Sequence, residues 1–211
     1  MALDAGYSTP EAFSRAFQRT LGQSPSGFRE SPDWMRWHDT FATLDLREPV
    51  AMAAYADQLR ILDTPDIAVA LLEHRGDPRL IGDSLRRFIG WRRAQGLSPA
   101  RSRTFNVFHT PEDVDPAEFR MDLCAATELP VAANAEGVVA GVLRGGRVAV
   151  VRHRGGDAAL AEVFRWLYAE WLPASGEVLR DAPPYLERLS LHPDVPQQDA
   201  EWQAFLPLAP R

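Results

Sequence analysis

The sequence predicts an α+β fold built from two copies of a strand-helix-strand-strand unit and preceded by a short all-helical segment. Three observations carry this expectation. Ala68-Val-Ala-Leu-Leu-Glu-His-Arg-Gly76 and Arg147-Val-Ala-Val-Val-Arg-His-Arg-Gly155 share a His-Arg-Gly triplet at a spacing of 79 residues. Each follows a β-branched and aliphatic run of the kind that forms a buried strand, and each precedes apolar residues at helical spacing. Further along, Phe105-Asn-Val-Phe-His-Thr-Pro111 and Met121-Asp-Leu-Cys-Ala-Ala126 are answered by Tyr185-Leu-Glu-Arg-Leu-Ser-Leu-His-Pro193 and Ala204-Phe-Leu-Pro-Leu208. Four matched features in one order make a chance repeat a poor explanation.

Within each copy the elements follow from periodicity. The first helix should bury Leu80, Ile81, Leu85, Phe88 and Ile89, and the second Leu160, Val163, Phe164, Leu167 and Trp171. The last two strands of each copy should form a hairpin, because the segment between them is rich in Pro and Asp. This duplicated region spans 57–211. Residues 31–56 form a connector with Trp34, Trp37, His38 and Phe41 at helical spacing, read as a small satellite core.

Residues 1–30 have a different character. A helix end at Leu3 to Ala5 is closed by Gly6, and Ser8 or Thr9 caps a second helix that opens with Pro10. Phe13, Phe17 and Leu21 recur every fourth residue, Gly22 closes the helix, and Ser24-Pro25 starts a third. Two short helices around a glycine turn have the geometry of a helix-turn-helix.

Composition excludes several classes of function. With 45% hydrophobic and 25% charged residues in 211, the chain has ordinary globular composition. It shows no membrane-length apolar run and no signal-like N-terminus, and reads as cytoplasmic. Cys124 is the only cysteine, which removes disulfide frameworks and cysteine-based metal clusters. The net charge is −6, and 1–30 balances Arg15, Arg19 and Arg29 against Asp4, Glu11 and Glu30, so no basic face is present for phosphate neutralisation. His74, His109, His153 and His192 fall at repeat-equivalent or near-equivalent loop positions, which symmetry explains better than metal ligation. No nucleophile elbow or phosphate loop occurs, and no cofactor is expected.

Two resemblances extend this reading. Ala5-Gly-Tyr-Ser-Thr-Pro-Glu-Ala-Phe-Ser-Arg-Ala-Phe-Gln-Arg19, closing with Leu21-Gly-Gln-Ser-Pro-Ser-Gly-Phe-Arg29, resembles the second helix-turn-helix of AraC-type transcription regulators. Such DNA-binding domains carry two of these modules, and only one is present here. The resemblance implies that Pro10, Glu11 and Arg15 face bases and that Arg19 faces a phosphate. DNA binding is expected only with a complete DNA-binding domain upstream. From about Leu59 to Leu208 the chain resembles GyrI-like effector-binding domains, which implies two βαββ units of SHS2 type related by pseudo-twofold symmetry, with a ligand cleft along their interface. It implies organic cations and amphipathic drugs as the ligand class.

The candidate carboxylate for such a ligand is Glu187, which strand alternation puts on the same face as Tyr185; the resemblance places the ligand-facing glutamate here. A buried carboxylate among rings attracts a cation strongly. Phe105 is the repeat equivalent of Glu187, and Phe108, Trp91 and Trp166 complete the expected aromatic cluster. A Glu187 paired with an arginine is the plain structural alternative. The alternative function is hydrolysis, with Glu187 as general base on water.

Overall fold

The computed structural model describes residues 9–41, 52–110, 114–190 and 195–211. The chain forms two compact units, divided after Leu46.

In the first unit, α1 (Pro10–Leu21) starts at Thr9, whose side chain accepts the Ala12 N–H at 3.1 Å, with proline in the first turn. It ends at Gly22, which adopts φ 70° and donates its N–H to Gln18 O at 2.8 Å; this left-handed cap favours glycine. Helix α2 (Pro25–Glu30) is capped by Ser24 through the Gly27 N–H. In α3 (Trp34–Phe41), Trp34 and Trp37 both pack on Phe28 at 5.3 Å between ring centroids, and Phe28 meets Phe17 at 5.6 Å. The satellite core foreseen for the connector therefore closes this unit. The Leu3 to Gly6 helix end, Ser8, Pro111 and Pro193 lie outside the described residues.

The second unit is a mixed α and β domain. After α4 (Met52–Gln58) come β1 (Arg60–Thr64), β2 (Ile67–Arg75), α5 (Ile81–Ala94), β3 (Thr104–Phe108), β4 (Arg120–Ala126), β5 (Val139–Leu143), β6 (Gly146–Arg154), α6 (Leu160–Trp166), a π turn, α7 (Leu172–Ser175), β7 (Tyr185–Arg188) and β8 (Glu201–Pro207). The strands form one antiparallel sheet in the order β1-β6-β8-β7-β3-β4-β2-β5. Both expected hairpins are present, and the central pairing of β3 with β7 sets Phe105 directly opposite Glu187.

Two strands escaped the periodicity reading. The edge strands β1 and β5 precede the matched triplet runs, and each pairs with the long strand of the other half: Thr64 opposite Gly146, and Leu143 opposite Ile67. The segments that carry the chain from β1 to β2 and from β5 to β6 must therefore cross. Gly145 sits at that crossing, where a Cβ would run into Thr64 O, so close backbone approach demands glycine. Asp66 fixes the crossing by accepting the Gly145 N–H at 2.8 Å and an Arg144 N–H at 2.7 Å.

In the second unit, the described residues of α5 and α6 that join buried apolar clusters pack on one face of the sheet. Val163, Trp166 and Leu167 pack with Leu186, Trp202, Ala204 and Leu206, and Phe88 and Trp91 pack with Ala70, Leu72, Met121 and Leu123. The buried stripe of α5 differs from the expected one: it runs through Ser84, Phe88, Trp91 and Arg92, leaving Leu80, Leu85 and Ile89 about 40% exposed. Internal partners explain the rotation. His74 Nδ1 meets Ser84 Oγ at 2.9 Å, and Arg92 donates to the carbonyls of Leu97 and Ser102 and to the Thr104 hydroxyl. Polar groups satisfied inside the fold can be buried at little cost. His74 and His153 also lie within strands β2 and β6 rather than in loops.

Candidate functional site

On the opposite face of the sheet the buried apolar cluster is made of strand residues. Val69, Phe105, Val107, Cys124, Val148, Val150, Tyr185 and Phe205 form one buried cluster. Val69 and Val148 stand on β2 and β6, which the strand order separates by four intervening strands, so the sheet curls around this cluster. The alternation of each strand assigns the residues: in β7, Tyr185 and Glu187 face this side and Leu186 the helices.

Glu187 is 6% exposed at the middle of the sheet. Its carboxylate is met by Arg103, whose Nε and Nη2 donate to the two oxygens at 2.6 and 2.7 Å. The same guanidinium lies over the Phe105 ring at 5.0 Å. The hydrogen bonds to Glu187 raise the Arg103 pKa above its ordinary value, while burial opposes them. Arg103 is itself half exposed, with 52% of its side chain accessible. The fork-to-carboxylate geometry is the strong form of ion pair.

Beside this pair, Tyr185 stacks on Phe205 at 4.5 Å and 7° and meets Phe105 edge-on at 6.3 Å. Burial raises the Tyr185 pKa, against the hydrogen bond from Thr64. Tyr185 also walls a cavity of about 310 Å³ with Val69, Val107, Cys124, His109 and Asp122, roofed by residues 180–183. His109 Nε2 and Asp122 Oδ2 stand 2.7 Å apart. Arg180 crosses the rim and donates to the carbonyls of Gly145 and Arg144. Burial, reinforced by the Asp122 charge, pushes the Cys124 thiol far up, so it offers no thiolate nucleophile.

The six residues expected around one ligand thus divide. Glu187, Tyr185 and Phe105 come together on the helix-free face. Trp91, Phe108 and Trp166 are on the other side, where Trp91 stacks with Phe88, Phe108 meets Phe164 edge-on at 5.6 Å, and Trp166 lies 6.2 Å from Tyr55. The reason is parity: Phe108 is three residues beyond Phe105, so the pleat turns it to the opposite face. Trp166 belongs to the buried stripe of α6 with Val163 and Leu167, not off it.

Periodicity did not single out Arg103, Asp122 or Arg180. The signals available were Arg103 at the same parity as Phe105, and a lone aspartate within the apolar run Met121-Asp-Leu-Cys-Ala-Ala126. In the first unit, Pro10, Glu11, Arg15 and Arg19 are all exposed, and Glu11, Arg15 and Arg19 recur along one side of α1. Among the described residues no three His, Cys, Asp or Glu side chains are grouped to hold a metal ion, and no helix is long and apolar enough to cross a membrane.

Comparison with known proteins places this geometry in a family. The chain is 40% identical over 153 residues to an Escherichia coli K12 protein described as "Probable transcriptional regulator YgiV", covering 72% of this chain and 96% of that protein. The crystal structure of the EcmrR C-terminal domain matches 73% of this chain and 98% of its own with a TM-score of 0.59 at 14% identity. The cryo-EM structure of an EcmrR–DNA complex matches 99% of this chain and 80% of that one, also with a TM-score of 0.59, at 13% identity. These structural likenesses extend to the fold. Residues 57–209 match the sequence pattern of the GyrI-like small-molecule binding domain, and the chain belongs to that family.

Proposed function

We propose that this chain is the effector-sensing part of an AraC-type transcription regulator, and that it takes a hydrophobic or cationic small molecule on the helix-free face of the sheet. The observation that carries this is the conjunction of Glu187, Phe105 and Tyr185 beside a cavity on one face. The relative in E. coli, itself described as a transcriptional regulator, supports the regulatory context. The Thr9 cap, the Gly22 turn and the exposed Glu11, Arg15 and Arg19 support reading α1 as the reading helix of a helix-turn-helix remnant. With one neutral module, DNA binding needs further DNA-binding structure upstream. A duplicated βαββ origin is supported by the sheet: a shift of 79 residues carries β1 onto β5, β2 onto β6, and the Thr64–Gly146 pair onto Leu143–Ile67.

In this reading Arg103 is a resident competitor. It already occupies the position between carboxylate and ring that a ligand cation would take, so a cation binds by displacing it. Arg103→Ala should therefore raise the affinity for a fluorescent aromatic quaternary ammonium dye at least tenfold, since an unpaired buried carboxylate is left to be neutralised. Glu187→Gln in the same background should remove the gain. Titration of the full chain by fluorescence anisotropy reads both. Equal dye affinity in wild type, Arg103→Ala and the double variant removes Glu187 from the site. The tight Arg103 pair disfavours the hydrolytic reading, because both Glu187 carboxylate oxygens already accept from the guanidinium and neither is free to take a proton from water.

A further inference from the structure

One side chain crosses the rim of the cavity beside Tyr185. Strand residues Val69, Leu71, Val107, Cys124 and Tyr185 lay its floor, and 180–183 form its roof. Main-chain bonds pin the roof at its two ends: the Arg180 N–H donates to Pro207 O at 3.1 Å, and Pro184 O accepts the Phe108 N–H at 3.0 Å. Between those points the one main-chain bond among the described residues is local, from the Ala182 N–H to Arg180 O at 2.8 Å. Pro183 and Pro184 stiffen the second half of the segment, because each fixes its own φ, and leave Asp181 and Ala182 as its pliable part.

On the far rim lies the crossing at Arg144 and Gly145, which Asp66 holds through the Gly145 N–H and the Arg144 side chain. Arg180 reaches it from the roof and donates to the Gly145 and Arg144 carbonyls, the second at 3.3 Å. Among the described residues no other hydrogen bond ties 180–183 to that rim. The grip has an internal cost. Arg180 Nε is buried and has no hydrogen-bond partner, whereas water would satisfy it once the side chain swung outward. Two charge-assisted bonds thus hold the roof shut against one unpaired donor, a balance suited to a catch that opens and closes.

We infer that Arg180 is a positioning residue that bars the cavity: a ligand enters or leaves when its guanidinium lets go of the Gly145 and Arg144 carbonyls, and the closed bar retains what lies beneath. The bar regulates passage to the helix-free face, and the inference rests on reading that face as the ligand face. Its receptor, the crossing, is fixed by Asp66, so the roof is the moving part.

The test compares the full chain with Arg180→Ala. Stopped-flow mixing with the aromatic quaternary ammonium dye gives association and dissociation rates, at about 1 M salt, where a Debye length of about 3 Å keeps loss of the arginine charge from itself speeding a cation. The variant should associate about threefold faster and dissociate about tenfold faster, binding more weakly yet more quickly. A side chain that merely touched the dye would change the dissociation rate alone. Hydrogen exchange without dye supplies an independent readout: the Ala182 amide should exchange about fivefold faster in the variant, while the Leu208 amide, bonded to Arg147 O, keeps its rate. Arg180→Gln, which retains one neutral donor, should fall between the two and serves if the alanine variant fails to fold by circular dichroism. An unchanged association rate, or an unchanged Ala182 exchange rate, overturns the assignment. If the dye binds neither form of the chain, the cation reading of this face falls, and Ala182 exchange alone decides whether Arg180 holds the roof.

Discussion

The two faces of the sheet are made from the same strands yet solve opposite problems. On the helix-covered face, α5, α6 and α7 close over Leu72, Leu123, Leu186, Leu206 and Trp202, and the buried polar groups His74, Ser84 and Arg92 have partners. On the other face the sheet curls over its own apolar residues, and carboxylates remain at the bottom: Glu187 held by a half-exposed arginine, Asp122 with one oxygen unfilled. One face is finished by packing. The other keeps a cavity and a buried carboxylate reached by a half-exposed arginine, which is what a binding site requires of a fold.

The largest effect should come from removing bulk on the covered face. Trp202 is 1% exposed in β8 and its indole lies 4.5 Å from the His153 ring. Trp202→Ala should destabilise the domain by about 3–5 kcal/mol, the usual cost of deleting a buried indole. Its apolar neighbours belong to the helix-side cluster, so the affinity for the aromatic quaternary ammonium dye should be unchanged below the melting transition. Thermal unfolding and probe titration on one sample read both. A matching loss of dye affinity would show that the two faces are not independent.

A smaller effect should come from the crossing that lets the sheet curl. At Gly145 a Cβ would press on Thr64 O, the Pro65 carbonyl carbon and Asp66 N, all main-chain atoms that cannot step aside singly. Gly145→Ala should cost about 1–3 kcal/mol as an overpacking change. Because Arg180 holds the Gly145 carbonyl at the rim of the cavity, this variant, unlike Trp202→Ala, should also weaken binding of the aromatic quaternary ammonium dye. Chemical denaturation gives the first quantity and titration the second; a destabilised variant with wild-type probe affinity would uncouple the crossing from the cavity.

The covered face was the more legible of the two. The strand runs at Ala68 and Val148 and the hairpin partners at Phe105, Leu123, Leu186 and Ala204 announce themselves because burial on both sides selects apolar residues. What misled was the helix α5, where Leu85 and Ile89 look like core and Ser84 and Arg92 like surface; internal hydrogen bonds reverse them. The edge strands β1 and β5 stayed hidden because exposed edges such as Ile61, Leu62, Val139 and Val142 carry no alternation. On the other face the grouping of Glu187, Tyr185 and Phe105 was legible from parity and repeat. Arg103 and the Asp122–His109 pair were not, because Arg103 meets Glu187 across 84 residues and His109 meets Asp122 across a hairpin. Pairing of this kind is a property of register, which a single sequence does not display.

The smallest effect concerns His153, a titratable group that ties α4 to the covered face. Its Nδ1 lies 2.6 Å from the Tyr55 hydroxyl, and burial lowers its pKa below the ordinary 6.5, with Asp157 opposing. A histidine whose pKa is lower in the folded than in the unfolded state is less protonated when folded, so it contributes stability above pH 6.5 that is lost as pH falls toward the folded value. The side chain is only partly buried, which limits the size of the effect. The melting temperature should therefore fall between pH 7.5 and pH 5, and His153→Gln, which keeps a hydrogen-bonding group but cannot titrate, should flatten part of that slope. Hydrogen exchange should locate the acid-sensitive amides in α4 and β6, not around β3 and β7. An equal slope in His153→Gln would assign the acid sensitivity to other groups and leave α4 held by packing of Tyr55 against Trp166 alone.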